Sequence, residues 1–271
     1  MLKYQKTMNK FVGLVSIGLL CWSCAYVPIS GRRQLTFMPE SQMVAMSITE
    51  YDAFLSSAQK VAPNDQRTKD VSEVGQRIAK GVETYFAQKG WSSKLDGYKW
   101  EFNLVNDQAV NAWCMPGGKV VVYTGILPVT KTKTGLAVVM GHEIAHAVAR
   151  HGNERMSQGM LVQGAGLTLG LMMSNKPQLT RDVFNQSFGV GSQLGMLAYG
   201  RKHETEADQL GLIFMAMAGY NPAEAPEFWK RMAALGGAKP PEILSTHPSN
   251  ATRIKNLRAY LPEAQKFYKP K

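Results

Sequence analysis

The sequence predicts an α+β domain in which helices dominate and one small antiparallel sheet interrupts them. Two observations support this class. Apolar residues recur at helical spacing between Pro39 and Gln88 and again after Gly125. Between these regions, residues 98–124 alternate apolar and polar side chains or run through β-branched residues, as strands do. No internal repeat divides the chain, so we expect one main domain.

Turn-forming residues bound the two helices that precede the sheet. The first is expected to start at Pro39 and to end before Pro63, and the second covers 67–88. Apolar residues spaced as on one helix face indicate that the second helix buries a stripe: Val71, Val74, Ile78, Val82 and Phe86.

Three short strands are expected next. Residues 98–105 alternate, 110–115 form a second short apolar run, and 119–124 are rich in β-branched residues. The sequence Pro116-Gly117-Gly118 supplies a turn between the last two strands. We therefore predict a small antiparallel sheet of about three strands.

The rest of the chain is expected to be helical. Residues 134–150 are apolar nearly all round, which predicts a central buried helix. Further helices are predicted over 153–173, 179–197, 204–217 and 222–235, with a last one from about Ser249.

The composition describes a chain that can fold around one sizeable core. It has 271 residues, of which 45% are hydrophobic and 19% charged, so it does not read as disordered. The formal net charge of +11 favours acidic partners. Because no Lys/Arg cluster is interleaved with aromatic residues, we expect no nucleic-acid binding and favour an anionic membrane surface.

The first residues resemble an export signal. Three lysines precede a short apolar run over 11–20, which is too short to span a bilayer comfortably. The alternative for this segment is a buried N-terminal helix. Cys24 follows the small residue Ser23 and precedes a polar stretch, which is typical of a cysteine that is acylated after signal cleavage.

These features predict three segments. Residues 1–23 form a lipoprotein signal peptide, 24–38 a tether anchored by a lipid on Cys24, and 39–271 the folded domain. We expect the mature chain to be attached as a lipoprotein to the outer or inner membrane of a bacterial periplasm.

The strongest functional signal is the motif HExxH at residues 142–146. On a helix, His142 and His146 lie one turn apart on the same face, so both imidazoles can reach one metal ion. Glu143 can reach a water beside the ion rather than the ion itself. Two imidazoles and a carboxylate buried without such a purpose would be costly.

A zinc site usually takes a third protein ligand, and three candidates follow the motif. His151 is rejected, because on a continuous helix it lies about 180° from His142; we expect it near the helix C-terminus. Glu204 is favoured, since Asp208 shares its helix face and can accept the free N–H of a ligand histidine. His247, which precedes a proline, is the third candidate. Glu206 faces away and is expected to be structural.

With these residues, the chain resembles the zinc metallopeptidases of the HtpX, BepA and Oma type. The resemblance is greatest to the BepA-like lipoprotein branch. Matching segments in the order of that family cover 24–35, 111–125, 142–156, 204–208 and 246–253. HExxH alone is widespread, whereas Glu204-Thr-Glu-Ala-Asp208 and Pro116-Gly-Gly118 make the match specific.

The resemblance implies a zincin-type metallopeptidase domain with one Zn²⁺ per chain. Zinc would be held by His142, His146 and Glu204, with Glu143 as the catalytic base. The resemblance also implies that His247 lies near the zinc and takes the place of water in a resting state, and that Arg253 lies near the site. Arg253 or His247 is expected to take part in catalysis as the donor that stabilises the oxyanion.

A substrate would lie along an edge strand that contains Val110, Asn111, Ala112, Trp113 and Cys114. The chain departs from the family at Trp113 and Cys114, where smaller apolar residues are usual, so the details of the substrate groove do not transfer.

The expected function is that of a zinc endopeptidase which cleaves unfolded or misassembled envelope proteins and is latent through His247. These substrates and the membrane, through the lipid anchor, are the expected partners. The alternative is an envelope chaperone or assembly factor whose zinc site is largely latent. The intact HExxH motif and Glu204 favour the enzyme.

Overall fold

A computed structural model describes residues 24–27, 30–162, 177–188, 200–235, 243–244, 247 and 251–270. The strands are β1 (Cys24–Tyr26), β2 (Arg33–Leu35), β3 (Glu101–Val105), β4 (Ala112–Met115) and β5 (Lys119–Tyr123). The helices are α1 (Glu40–Ser57), α2 (Gln66–Gln88), α3 (Leu127–Thr130), α4 (Lys133–Val148), α5 (His151–Val162), α6 (Pro177–Phe188), α7 (Arg201–Met217), α8 (Glu224–Ala234) and α9 (Ala251–Gln265). Short 3₁₀ turns lie at Ser92–Leu95 and Thr124–Ile126.

These elements confirm the predicted α+β class and most of the helices. Helix α2 begins where Asp65 accepts a hydrogen bond from the backbone N–H of Arg67, and its apolar stripe is buried as predicted. The parts of the predicted helices that cover 163–173 and 189–197 lie outside the described residues. None of the helices that the structure describes is long and apolar enough to cross a membrane.

The sheet has the predicted three strands but is mixed rather than antiparallel. Its order is β3-β5-β4, with β5 parallel to β3 and antiparallel to β4. The prediction of an antiparallel sheet is wrong for the pair β3 and β5. Instead, the turn at Gly117 and Gly118, both at φ 81°, folds β5 back into the place between β3 and β4.

The sheet is covered on both faces, which places it inside the domain. Side chains of one face, such as Val120 and Cys114, join the main core with helices α2, α4 and α7. Side chains of the other face, such as Trp113 and Val121, join a second cluster with α1, α5 and α6. Trp113 packs edge-on against Phe54, with 5.1 Å between ring centroids. The edge strand β4 therefore lies between two helical layers.

The central helix α4 carries the HExxH motif and is buried from Gly135 to Val148, as predicted. Thr132 caps its N-terminus by accepting a hydrogen bond from the N–H of Gly135. Helix α4 crosses α7 through two glycines. A Cβ on Gly211 would lie 3.0 Å from the backbone N of His142, and one on Gly141 would lie 3.1 Å from the carbonyl oxygen of Gly211. The two backbones approach closely because neither glycine has a side chain.

The segment predicted to be a tether folds onto the domain where the structure describes it. Strands β1 and β2 pair antiparallel, and we call them, with the turn between them, the N-terminal hairpin (residues 24–27 and 30–35). After the hairpin, the N–H of Phe37 donates to Ser157 and the side chain of Asn153 donates to the carbonyl of Met38. The predicted signal over 1–23 and the side chain of Cys24 lie outside what the structure describes, so the export signal and the acylation stay predictions.

We predict that Gly211→Ala destabilises the fold, although alanine favours helix by about 0.5–1 kcal/mol. The new Cβ would meet the backbone of α4, and overpacking typically costs about 1–3 kcal/mol. The net loss should appear as a lower free energy of unfolding in urea. Gln209→Ala, a half-buried position on the same helix, is the matched control. A gain in stability for Gly211→Ala would contradict the close crossing.

Candidate metal centre

The two histidines of the motif lie on one face of α4 and point at a common place. Their Nε2 atoms are 3.1 Å apart, and both residues are no more than 2% exposed. Residues four apart on a helix are neighbours on its surface, which is why the motif alone fixes this half of the site.

Helix α7 and residue His247 complete a group of four metal-ligand side chains. Ligand atoms of His142, His146, Glu204 and His247 all lie within 4.8 Å of one another. Glu204 Oε1 is 3.4 Å from His146 Nε2 and 2.8 Å from His247 Nδ1. His247 Nδ1 in turn lies 3.2 Å from His142 Nε2. The structure thus brings together the three predicted ligands and the predicted fourth residue.

The donor set fits a small divalent cation. Donors at the corners of a tetrahedron around zinc, at about 2.0–2.1 Å from the ion, lie about 3.3–3.4 Å from one another. The measured separations bracket that value. Glu143 Oε1 is buried and makes no hydrogen bond within the described part of the chain. Buried carboxylate oxygens of this kind are costly unless a cation or a water engages them.

Asp208 contacts the imidazole of His142 at Nδ1, the ring nitrogen that would not bind the metal. Its Oδ1 lies 3.0 Å from His142 Nδ1, as the shared helix face with Glu204 predicts. A histidine that offers Nε2 to a metal carries its hydrogen on Nδ1, and Asp208 is placed to accept that hydrogen.

Arg253 pairs with two of the carboxylates of α7, those of Asp208 and Glu204. It donates to Asp208 through Nε at 2.8 Å and Nη2 at 2.6 Å, and its Nη1 lies 2.9 Å from Glu204 Oε2. Its guanidinium also stacks on Trp229, 3.4 Å from the ring centroid. The structure places Arg253 near the site as predicted, but with its donors engaged by these carboxylates, which is the geometry of a positioning residue.

The electrostatics of the imidazoles show that the pocket favours positive charge. Burial and a neighbouring guanidinium oppose protonation of His142, but the carboxylates of Asp208 and Glu204 outweigh both and raise its pKa to about 9. Burial lowers the pKa of His146 well below its ordinary value. The site therefore attracts one cation while keeping the second imidazole neutral, as metal ligation requires.

The two glutamates have opposite shifts. Burial raises the pKa of Glu143, with no hydrogen bond to its Oε1 to oppose it within the described residues. Burial acts the same way on Glu204, but His247 and Arg253 outweigh it and hold the pKa of Glu204 well below its ordinary range. Glu204 is thus ionised, as a metal ligand has to be, whereas Glu143 has the raised proton affinity of a base.

His151 lies beside the site rather than away from it. Helix α4 ends at Val148, and Arg150, at φ 61°, turns the chain before His151 begins helix α5. The prediction extended one helix through 151 and so placed His151 near a C-terminus on the opposite face. The break instead brings His151 Nδ1 to 3.0 Å from His146 Nδ1.

A buried network that the sequence analysis missed lies behind His146. His151 Nε2 contacts Glu206 at 3.1 Å, and His203 Nε2 contacts Glu154 at 2.9 Å, while the two rings stack with centroids 4.6 Å apart. Arg32 bridges the two glutamates. Glu206 was expected to be structural, and it does face away from the ligand atoms. The available signal was the repeated spacing His-x-x-Glu at 151–154 and 203–206.

Two imidazoles and a carboxylate from two helices, with a further glutamate beside them, define a metallopeptidase site of the HExxH kind. A family comparison agrees with this class. The chain belongs to peptidase family M48, whose model matches residues 65–261. This membership confirms the predicted metallopeptidase.

The chain is similar to curated relatives in several organisms. It is 36% identical over 244 residues to the mitochondrial metalloendopeptidase OMA1 of Schizosaccharomyces pombe, covering 89% of this chain and 67% of the relative. It is 38% identical over 185 residues to the Saccharomyces cerevisiae OMA1, covering 65% and 51%. It is 30% identical over 164 residues to the β-barrel assembly-enhancing protease of Escherichia coli, covering 58% and 33%.

These similarities correct part of the prediction. The relatives that match over more of the chain and at higher identity are mitochondrial, and the Escherichia coli protease is a weaker match. The placement in the BepA-like lipoprotein branch is therefore not supported. By the same comparison, the predicted location in a bacterial periplasm is wrong. That prediction depended on short signal-like features at the N-terminus, and no feature of the folded domain supported it.

We predict that chelator-stripped protein binds one divalent ion per chain, with Zn²⁺ as the probe, and gains thermal stability on binding. An ion present at 100 times its Kd should stabilise the fold by about 2.7 kcal/mol. Glu204→Gln should lose more affinity than the roughly 10–100-fold typical when a ligand loses a hydrogen-bond partner. Calorimetric titration measures the number of ions bound and the affinity, and thermal unfolding with and without Zn²⁺ measures the gain in stability.

The matched control is Glu227→Gln, an exposed glutamate that pairs with Lys230 on α8. It should bind Zn²⁺ like the unaltered chain. Equal zinc affinity for Glu204→Gln and Glu227→Gln would remove Glu204 from the ligand set.

Proposed function

We propose that this protein is a zinc endopeptidase that cleaves extended, unfolded segments of polypeptide and rests in a latent state set by His247. The single observation that supports it best is the buried convergence of His142, His146 and Glu204, with Glu143 beside them. Family membership and the metalloendopeptidase names of the relatives support the same reaction.

His142, His146 and Glu204 would hold the zinc. When bound, zinc polarises the scissile carbonyl and lowers the pKa of a nearby water from 15.7 to about 7. Glu143 accepts the proton of the attacking water, for which its buried position and raised pKa suit it. The same carboxyl then delivers the proton to the leaving amine. Asp208 and Arg253 keep His142 and Glu204 oriented throughout.

His247 supplies the latency. Its Nδ1 lies 3.2 Å from His142 Nε2 and 2.8 Å from Glu204 Oε1, so it would hold the ligand position that catalytic zinc sites leave to water. Its Nε2 is 3.7 Å from Glu143 Oε1, so the ring also stands where the base would meet its water. Displacement of His247 frees both places at once.

Strand β4 is the part of the sheet along which a substrate would pair. It is an edge of the three-stranded sheet, and backbone pairing there makes little demand on substrate sequence. The residues from Ala112 to Met115 are at most 6% exposed, and helix α6 lies against the strand. Val110 and Asn111 precede this strand.

We predict that Glu143→Gln keeps its zinc and loses proteolysis. An amide cannot take the proton, and a general base contributes about 10²–10⁴-fold to the rate. Cleavage of unfolded casein, with zinc content measured on the same sample, tests this. Glu227→Gln is again the control. Full activity in a zinc-loaded Glu143→Gln variant would refute the assigned role.

We predict that His247→Ala raises the basal rate of casein cleavage, because it removes the ring from the position of water. The measurement compares initial rates of the zinc-loaded proteins. An unchanged or lower rate would count against latency and would favour a role of His247 in stabilising the transition state.

A further inference from the structure

The side chain of Arg32 links the N-terminal hairpin to two helices of the domain. Its Nη1 and Nη2 donate to the two oxygens of Glu154 at 2.9 and 2.7 Å. Its Nε lies 3.0 Å from both oxygens of Glu206. Ser30 donates a further hydrogen bond to Glu206. Bidentate guanidinium–carboxylate pairs combine strength with fixed geometry, so Arg32 ties the starts of α5 and α7 together.

The two carboxylates that Arg32 holds are the partners of two buried histidines. His203 contacts Glu154 and His151 contacts Glu206, each crossing from one helix to the other. Hydrogen bonds from His203 and Arg32 outweigh the effect of burial and lower the pKa of Glu154 to about 2. Hydrogen bonds from His151, Arg32 and Ser30 likewise lower the pKa of Glu206 to about 2, so both glutamates are anions that Arg32 helps to hold in place.

The hydrogen bonds run on from Glu206 to the metal centre. If His146 offers Nε2 to the ion, its hydrogen would lie on Nδ1 and would be donated to Nδ1 of His151, 3.0 Å away. His151 then carries its own hydrogen on Nε2 and donates it to Glu206. In this arrangement each proton position is set by the next partner in the series.

We propose that Arg32 is a positioning residue for the metal centre and acts on His146 through Glu206 and His151. The inference rests on the proposed metal site. It means that the ion-binding geometry of α4 depends on a segment that precedes the whole peptidase core in sequence. Loss of the hairpin contact loosens Glu206, frees His151 to rotate and weakens the hold on the ligand imidazole.

The test uses the full chain with Zn²⁺ alone, in competition with a chromophoric chelator. Arg32→Gln should weaken zinc binding by up to about tenfold, less than or equal to the loss of a direct partner of a ligand. The matched control is Arg33→Gln, which changes the charge equally in the same segment. Arg33 is exposed, with its guanidinium 5.8 Å from the Tyr26 ring centroid, and its replacement should leave zinc affinity unchanged.

A second measurement separates positioning from mere support of the fold. Thermal unfolding of each variant is followed with and without zinc. A positioning role predicts a smaller zinc-induced rise in Tm for Arg32→Gln. An equal lowering of Tm in both states, with unchanged zinc affinity, would overturn the proposal. Arg32→Lys keeps the charge but cannot bridge both glutamates, and it should show an intermediate affinity, which keeps the test open if Arg32→Gln folds poorly.

A double-variant comparison identifies the route. In a His151→Phe background the link to His146 is already broken, so adding Arg32→Gln should cause no further loss of zinc affinity. Additive losses would contradict the series through His151. Failure of the unaltered chain to bind zinc would refute the proposed metal centre itself, whereas tight binding by both the unaltered chain and Arg32→Gln refutes only this inference.

Discussion

The close crossing of α4 and α7 is the constraint on which the rest of the site depends. Gly141 and Gly211 let the two backbones meet without side chains between them. Helix α4 supplies the imidazoles and α7 supplies Glu204 and Asp208, so the depth of this crossing decides whether ligands from distant parts of the sequence share one ion. A wider crossing would leave two histidines and two carboxylates buried apart from one another. Nothing would then offset the free-energy cost of removing each of them from water.

Charge balance explains why so many ionisable groups tolerate burial here. Glu143, Glu204 and Asp208 are no more than 8% exposed, and Arg253 offsets only part of their charge. A divalent cation among the imidazoles would complete the balance. A second group of buried charges is balanced in the same way. There, Arg32 lies between the buried carboxylates of Glu154 and Glu206. Each centre thus joins carboxylates from different elements around one positive charge, which fixes the relative positions of those elements.

The HExxH motif could be predicted because it depends on local helix geometry. Features that depend on contacts between distant segments could not be predicted in this way. HExxH needs only helical geometry over 142–146, and Glu204 with Asp208 needs only a shared helix face. The parallel pairing of β3 with β5 could not be read in the same way, because strand order is a tertiary property. The left-handed turn at Arg150 was also missed, since arginine carries none of the usual signals for that conformation. The location was predicted wrongly because the prediction depended on the N-terminal features alone, and these say nothing about the folded domain.

The central claim is that His142, His146 and Glu204 hold one zinc ion. Anomalous diffraction from zinc-loaded crystals at the zinc absorption edge tests it most directly. The account predicts one strong peak about 2.0–2.1 Å from Nε2 of both histidines and within bonding distance of the Glu204 carboxylate. A zinc peak elsewhere in the molecule, with these three side chains unbound, would contradict it.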